Sequence, residues 1–309
     1  MPAIMWFRRD LRLRDNPALA AAASGQNVIG LFVLDPVLWH RSGPVRREWL
    51  RQSLHALNEQ LDGNLWLAAG NPVTVVPELA AQTNSSQVFV SKDFGTYGKQ
   101  RDERVREALA RSGRELIEAG SPYAIDPGTL ATGSGRRYRV YTPFYRSWLS
   151  HGYPAAAPTV VPEWVTPPPS ARIDAIAELS TRQSEVELPD VGEVAAWRRW
   201  EWFKDNGLAQ YSTNRNRPDL DGTSNLSAHL RWGEIHPRSL LAELPPYLST
   251  PDCEVGAETF RKEIAWREFY AEVWDANPTS TWDSLDPRFD RALETDSGST
   301  AEANFAAWQ

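Results

Sequence analysis

The sequence predicts an α/β Rossmann-like domain with a parallel sheet, followed by an all-α domain. At 309 residues the chain is long for one small domain. Its first part alternates short apolar, β-branched runs with helical patterns, which is typical of parallel strands joined by crossover helices. From Val191 onward the apolar residues recur at helical spacing and no convincing strand is found. These observations together favour two domains of different class.

The first part contains five apolar runs that predict strands over 3–7, 28–34, 65–68, 88–91 and 116–118. Asn16 followed by Pro17 is typical of a helix start, with a capping side chain before proline at the first helical position. Gly43 and Pro44 open a longer helix, and further helices are predicted over 73–81 and 101–111. The order of these elements is that of a Rossmann-like fold.

Composition sets the predicted domain boundaries. The α/β domain is expected over 1–127, an interdomain linker over 128–190 and the helical domain over 191–309. The linker is rich in proline, serine and threonine and should run over the surface with little regular structure. Its aromatic stretch, residues 138–144, is expected to be anchored between the domains.

Bulk properties limit the possible roles of the chain. The net charge is -7, so binding to nucleic acid would need a local basic patch. The single cysteine, Cys253, excludes an internal disulfide. No run approaches the roughly 18 apolar residues of a membrane helix, and arginines interrupt the start of the chain where a signal peptide would be apolar. We expect a cytoplasmic protein without a membrane segment.

The usual phosphate-binding motifs are missing from the sequence. There is no G-x-G-x-x-G after the first strand and no G-x-x-x-x-G-K-[ST]. Arg8, Arg9 and Asp10 follow the first strand, where folds of this class often bind ligands. An ion pair that braces the loop is the favoured interpretation of these three residues.

Three longer segments carry a resemblance to a known family. They are residues 6–17 (WFRRDLRLRDNP), residues 222–235 (GTSNLSAHLRWGEI) with Tyr211 upstream, and residues 263–270 (EIAWREFY). In this order the chain resembles DNA photolyases and cryptochromes over essentially its entire length. The resemblance implies that the helical domain binds FAD.

The second segment implies the flavin contacts. Glycine and hydroxyl residues at 222–224 can start a helix whose free N–H groups face an anion, although an ordinary helix cap is the alternative. Asn225 departs from the basic residue often found there, and Phe260 replaces a tryptophan beside the flavin. By resemblance, the flavin is bound by Tyr211, Thr223, Ser224, Asn225, Leu226, Ser227 and Phe260.

The third segment implies the catalytic and DNA contacts. Glu263 and Trp266 lie one helical turn apart and share a face. By resemblance, Trp266 stacks on a flipped-out pyrimidine dimer and Glu263 hydrogen-bonds to it. The alternative is a core tryptophan and a surface glutamate. Arg267 resembles an arginine on the DNA side of the site, with an ion pair to Glu263 as its competing role. Arg215, in a basic stretch, is expected to contact DNA phosphate, with a solvated helix face as the alternative.

The resemblance implies a deoxyribodipyrimidine photolyase, a carbon–carbon lyase that uses blue light and FAD to repair cyclobutane pyrimidine dimers. It implies a monomer that acts on damaged DNA, without a metal. A second antenna pigment of folate or deazaflavin type is expected against the α/β domain. A cryptochrome-type photoreceptor and a non-catalytic truncated photolyase are the alternatives.

The end of the chain, FAAWQ at 305–309, carries a separate expectation. In the family, the corresponding point is followed by a helical segment that completes the flavin cavity and holds most of the tryptophan chain that feeds it electrons. We expect apolar faces to be exposed where that segment would pack.

Overall fold

The computed structural model describes residues 1–290 and 298–308 and begins with a five-stranded sheet. All neighbouring strands are parallel and their order is β3-β2-β1-β4-β5. The α/β class predicted for this part is confirmed. The strands are β1 Ala3–Phe7, β2 Val28–Leu34, β3 Leu65–Ala69, β4 Gln87–Val90 and β5 Glu115–Glu118.

The sheet is central because its middle strands are buried on both faces. Every residue of β1 and β2 is buried, and the register pairs Ala3 with Val28 and Phe7 with Phe32. Phe7 belongs to the core on one face, and Trp6 to the core on the other. Strands buried on both faces form continuous apolar runs, which is why the sequence revealed them.

Five helices follow the strands of this part. Four begin with proline after a capping residue; Asn16, for example, accepts a hydrogen bond from the Leu19 amide. The helix expected from Arg101 begins earlier, at Thr96. The helices are α1 Pro17–Ala22, α2 Pro36–His40, α3 Pro44–Gln60, α4 Pro72–Gln82 and α5 Thr96–Ala110.

The segment after the sheet contains a helix that the sequence interpretation did not include, α6 Tyr141–His151. Phe144, Tyr145 and Trp148 lie on one face of α6 and are buried in the core of the helical part. Their spacing is that of an amphipathic helix, but the surrounding prolines and polar residues indicated a loop.

The rest of this segment returns to the sheet. Val28 donates its amide to the Glu163 carbonyl and accepts from the Val165 amide, both at 2.9 Å. Two 3₁₀ turns, Pro169–Ala171 and Ile173–Ala175, lead to the short helix α7 Ala177–Ser180. The segment therefore packs against the α/β part for much of its length.

The remaining described residues are helical, as predicted, and no strand occurs among them. The longest helix, α13, approaches the preceding chain closely: a Cβ at Gly256 would lie 1.9 Å from the Leu208 carbonyl oxygen. The helices are α8 Glu193–Asn206, α9 Tyr211–Asn214, α10 Ser227–Trp232, α11 Pro237–Glu243, α12 Pro245–Leu248, α13 Glu254–Ala276, α14 Pro287–Asp290 and α15 Ser299–Trp308, with a 3₁₀ turn at Pro278–Thr281.

Buried polar contacts join the helical part to the loop after β1. Asp15 accepts hydrogen bonds from Arg238 and from the Ser239 hydroxyl, the latter at 2.7 Å. Glu193 accepts from the Leu13 amide at 2.7 Å. Gly233 lies against the same loop, since a Cβ there would be 1.9 Å from the Arg9 carbonyl oxygen. The loop is therefore held at a fixed distance from α10.

Large apolar side chains are exposed after α13. Trp282 is 81% exposed, and Leu285 and Phe289 are each 63% exposed. The side chain of Trp308 lies outside the described residues, while Phe305 is exposed. No helix in the described ranges is long and apolar enough to span a membrane.

Candidate functional site

An open cavity of about 530 Å³, which we call the α13 cavity, lies between the loop after β1 and the helices α9, α10 and α13. It collects side chains from parts of the sequence that are far apart. Its lining residues are Arg9, Tyr123, Tyr211, Ser224, Ser227, Leu230, Arg231, Phe260, Glu263, Ile264, Arg267, Tyr270, Ala271 and Trp274.

The α13 cavity brings together many of the residues that the motifs singled out. Six of them line it: Tyr211, Ser224, Ser227, Phe260, Glu263 and Arg267. Five others are not among its lining residues: Thr223, Asn225, Leu226, Arg215 and Trp266.

Aromatic rings form one firm wall of this cavity. Phe260 is buried, and its ring stacks on Trp200 with centroids 5.2 Å apart. The Tyr211 ring meets Phe260 edge to face at 5.7 Å, and burial raises the pKa of the Tyr211 phenol. Because these rings are packed from behind by the helical core, the wall is formed before any ligand arrives.

The segment before α10 corrects one expectation, because Gly222, Thr223 and Ser224 do not start the helix. The helix begins at Ser227, and Asn225 has a positive φ of 54°, outside helical geometry. The Thr223 hydroxyl donates to the Asn225 side-chain oxygen at 2.9 Å, so these two side-chain groups are hydrogen-bonded to each other and do not cap a helix start.

Other contacts fix this segment in place. Arg199 donates to the carbonyl oxygens of Thr223 at 2.6 Å and Ser224 at 3.0 Å. The Asn225 amide donates to Asp221 at 3.0 Å. Leu226 is buried in the helical core. Ser224 and Ser227 are thus the members of the segment that line the cavity.

The three residues after β1, which are Arg8, Arg9 and Asp10, have different roles. Arg8 forms an ion pair with Asp102, and Asp10 accepts from the Ser91 hydroxyl at 2.7 Å. These contacts confirm a bracing role for Arg8 and Asp10. The bracing interpretation was wrong for Arg9, which lines the cavity and donates to the Arg231 carbonyl at 3.5 Å.

Three arginines line the α13 cavity. No carboxylate in the described ranges lies within ion-pair distance of Arg9, Arg231 or Arg267. Partial desolvation and then the nearby Arg9 lower the pKa of Arg231 to about 10, although much of its side chain is exposed. Desolvation also lowers the pKa of Arg267. An anionic ligand would relieve this repulsion.

Glu263 and Arg267 do not pair with each other, so the competing role considered for Arg267 is wrong. Glu263 forms its ion pair with Arg215, and both side chains are about one third exposed. Arg267 instead donates to the Pro122 carbonyl at 2.9 Å and lies over the Tyr123 ring at 4.8 Å. Arg267 is thereby positioned on the cavity side of α13.

Trp266 is half-buried in a stack of aromatic rings. Tyr141 of α6 covers one face, with ring centroids 3.7 Å apart and planes 5° apart. Tyr270, one turn further along α13, stacks at 5.6 Å. The sequence indicated that the 138–144 stretch is anchored, but it did not indicate that this stretch packs on Trp266.

A second cavity of about 270 Å³, the sheet-edge cavity, lies at the carboxyl ends of β1 and β2. The indole N–H of Trp6, which lines it, has no hydrogen-bond partner within the described part of the chain. Arg9 and Arg231 belong to both cavities. Its other main lining residues are Arg8, Phe32, Asp35, Trp39, Arg46, Arg47, Leu50, Asp93, Arg101 and Trp232.

The protein is an α/β domain with a parallel sheet followed by a helical domain, and three arginines line the cavity where the two meet. The DNA photolyase family model matches residues 3–163, more than half of the chain. The chain belongs to the DNA photolyase family.

Individual relatives agree with this assignment. A deoxyribodipyrimidine photo-lyase from Synechococcus is 33% identical to this chain, over 87% of this chain and 59% of the relative. A deoxyribodipyrimidine photo-lyase from Thermus thermophilus is also 33% identical, over 99% of this chain and 67% of the relative. A crystal structure of a class III photolyase from Agrobacterium tumefaciens superposes with a TM-score of 0.84 at 30% identity, covering 99% of this chain and 65% of that one. The chain therefore spans about three fifths to two thirds of these relatives.

Proposed function

We propose that the chain acts as a deoxyribodipyrimidine photolyase that uses FAD and blue light to repair cyclobutane pyrimidine dimers in DNA. One observation carries this proposal. The α13 cavity joins flavin-motif residues such as Tyr211 and Phe260 to Glu263 of the dimer-binding motif. Electron transfer needs the flavin and the lesion to be neighbours, and this cavity would make them so.

The residues of the α13 cavity suit FAD. A volume of about 530 Å³ falls within the range of roughly 300–1,000 Å³ typical of small-molecule sites. The wall of Tyr211 and Phe260 would pack against a planar ring system, and Arg9, Arg231 and Arg267 would balance a pyrophosphate. FAD, when bound, would supply light absorption and one-electron chemistry.

On the DNA side, the chain would have to hold a lesion outside the base stack. Trp266 would offer a flipped pyrimidine the part of its ring that Tyr141 and Tyr270 leave open. Glu263 would accept hydrogen bonds from the base once Arg215 turns from it toward a DNA phosphate. Arg267, held by the Pro122 carbonyl, would serve the cavity ligand more directly than the DNA backbone.

The sheet-edge cavity is our proposed site for a second pigment of folate or deazaflavin type. Trp6, Phe32 and Trp39 would enclose a flat ring, and the unpartnered Trp6 indole would donate to a carbonyl of the pigment. The arginines of this cavity outnumber its two carboxylates, Asp35 and Asp93, which favours an anionic ligand. We further propose that the chain is a monomer and works in the cytoplasm.

Repair of a single thymine dimer in an oligonucleotide tests the function. The chain is reconstituted with FAD, reduced with dithionite and illuminated with blue light, with a dark sample alongside. We expect light-dependent repair that Glu263→Gln reduces strongly. Glu254→Gln, an exposed residue on the same helix, should leave repair unchanged.

The outcomes separate the alternatives. Bound flavin without repair would contradict the photolyase proposal and leave a photoreceptor. A chain that binds no flavin would contradict both and leave a non-catalytic member of the family.

A further inference from the structure

A third cavity, a groove of about 290 Å³ that we call the α8 groove, lies beside α8 and α10. It shares no lining residue with the α13 cavity. Within α10, Ser227 and Arg231 line the α13 cavity, whereas His229 lines the α8 groove. Residues two apart lie on nearly opposite faces of a helix, so α10 stands between the two cavities.

His229 belongs to the second motif, but the proposed function gives it no role. Its side chain is only 3% exposed, and its Nδ1 is hydrogen-bonded to Glu234, which has no exposed surface. Glu234 also accepts from the Trp49 indole N–H at 3.2 Å and from the Ser53 hydroxyl, both on α3. The two nitrogens of an imidazole point in widely different directions, so Nε2 faces away from Glu234 and from α3.

This Nε2 atom has no hydrogen-bond partner among the residues that the structure describes. A carboxylate accepts hydrogen bonds, so Glu234 selects the tautomer of His229 in which Nδ1 carries the proton. The neutral ring then has an acceptor lone pair at Nε2. Because a buried polar atom normally has a partner, an open acceptor at the wall of a groove points to a ligand with an N–H or O–H donor.

The groove also contains a tryptophan with a fixed cation over its ring. The Arg199 guanidinium lies 4.0 Å from the centre of the Trp202 ring. Arg199 is held there by Asp221 and by the carbonyl oxygens of Thr223 and Ser224. Trp202 is 36% exposed and lines the groove, so part of its ring is accessible to a ligand. Planar heterocycles stack on such a platform.

The charges of the groove narrow the class of ligand. Arg199 is balanced by Asp221, and Arg198 pairs with Asp190 at 3.0 Å, so the groove favours a neutral ring. Both partners of the second pair are largely exposed, and such a pair is weak enough for Arg198 to turn toward a phosphate. A flat neutral ring with an N–H donor and a phosphate is the chemistry of a nucleotide.

We propose that the α8 groove binds a nucleobase with an exocyclic amino group, such as adenine or cytosine. The base stacks on Trp202, its amino group donates to Nε2 of His229, and Arg198 contacts the phosphate. A free nucleotide and an unpaired base in a DNA strand share this chemistry, so the test includes both. The proposal does not depend on flavin binding or repair at the α13 cavity.

The first test changes the ligand and leaves the protein intact. Binding of adenosine 5′-monophosphate to the full chain is measured by equilibrium dialysis, alongside an analogue whose amino group is dimethylated. The analogue keeps the flat ring but has no donor for His229. We expect it to bind about tenfold more weakly, as for an acceptor left without its hydrogen bond. A single-stranded deoxyadenylate hexamer is the second probe.

The second test changes the two residues that recognise the base. Trp202→Ala removes the platform, and His229→Asn keeps a donor to Glu234 in place of Nδ1 but removes Nε2. Each should weaken nucleotide binding about tenfold, and His229→Asn should no longer distinguish the nucleotide from its dimethylated analogue. Trp282→Ala, which removes an exposed tryptophan outside the groove, is the matched control and should bind as the wild type does. Circular dichroism verifies that each variant folds.

The outcomes separate this groove from the α13 cavity. Nucleotide binding that is weakened in Trp202→Ala but kept in Phe260→Ala supports the proposal. The reverse pattern would assign the nucleotide to the α13 cavity and overturn the proposal, as would equal binding of the nucleotide and its analogue. Binding of the hexamer alone, weakened in Trp202→Ala, supports the groove with a strand as the source of the base. Failure of both probes to bind would overturn it, whether or not the chain binds FAD.

Discussion

The two cavities share Arg9 and Arg231 but are built in different ways. The sheet-edge cavity rests on fully buried strands, and its Arg8 is fixed by Asp102 and the Ser91 carbonyl. The α13 cavity has one firm aromatic wall, but its other sides are an irregular segment and a partly exposed ion pair between Arg215 and Glu263. The comparison teaches that the sheet-edge cavity is formed by the fold, whereas the shape of the α13 cavity depends more on its ligand.

Gly233→Ala should have the largest effect, because it forces the end of α10 away from the loop after β1. Gly233 has a φ of 70°, and its Cβ would lie 1.9 Å from the Arg9 carbonyl. Backbone strain and overpacking together should lower the free energy of unfolding by about 3 kcal/mol. Urea denaturation followed by circular dichroism measures this.

Gly113→Ala is the control for that experiment. Gly113 has a φ of 68° but nothing within 4 Å of its would-be Cβ. It should cost only about 1 kcal/mol, from the backbone conformation alone. Equal losses in the two variants would show that the close contact between Gly233 and the loop after β1 is unimportant.

Arg231→Gln should weaken FAD binding by about tenfold or more, as expected for the loss of a charged hydrogen bond or ion pair to a phosphate. Stability without FAD should not fall, because the desolvation and the repulsion by Arg9 that lower the pKa of Arg231 are both removed. Flavin fluorescence titration and denaturation measure the two quantities. Arg104→Gln, exposed on α5, should change neither. An unaltered FAD affinity in Arg231→Gln would contradict the role of the shared arginines.

The contacts of Glu48, on the sheet side of the molecule, should make the free energy of unfolding depend on pH in the acidic range. A hydrogen bond from Arg51 lowers the pKa of Glu48 from 4.5 to about 2, and Glu48 also accepts from the Gln183 amide at 2.8 Å. Because the folded pKa is the lower one, this stabilisation is complete above pH 4.5 and is lost as the pH falls toward 2. Glu48→Gln should therefore lower stability at neutral pH by about 1–2 kcal/mol.

The measurement is the midpoint of urea unfolding at several pH values. The wild-type midpoint should fall between pH 4.5 and 2 more steeply than that of Glu48→Gln. Parallel curves for the two proteins would show that the charge of Glu48 does not anchor the segment around Gln183.

The smallest effect is expected at the ion pair of Arg215 and Glu263, where we propose that DNA binds. Arg215→Gln should weaken binding to dimer-containing DNA severalfold and reduce the slope of log affinity against log salt by about one. Arg217, which pairs with Asp219 in full solvent, is the control. Equal effects of Arg217→Gln would indicate a diffuse basic surface instead of a specific contact beside Glu263.

Much of the fold could be predicted from the sequence because buried parallel strands and proline-started helices leave direct local signals. Helix α6 was missed because Pro143 stands in its first turn and a proline-rich stretch follows. The early start of α5 was missed because its first turn has little apolar character; Gly95, just before it, packs under Trp274. Contacts of that kind join residues far apart in sequence and have no local pattern.

In the candidate site, the sequence could predict the residues that belong to a recognisable motif, but not the residues that lie outside the motifs. Helices α9 and α13 bring Tyr211, Phe260 and Glu263 to one cavity, as the motifs implied. Arg9 and Tyr141 come from other parts of the chain, and only tertiary packing places them at the cavity and on Trp266. A single residue conformation, the positive φ of Asn225, prevents the predicted helix start at Gly222.

The central claim is that the α13 cavity binds FAD. We would titrate the full chain with FAD in dim light and follow the visible circular dichroism of the flavin, comparing wild type with Phe260→Ala. The account predicts saturable binding of one FAD with an induced signal in the wild type that weakens in Phe260→Ala. Absence of an induced signal, or an identical signal in both proteins, would contradict it.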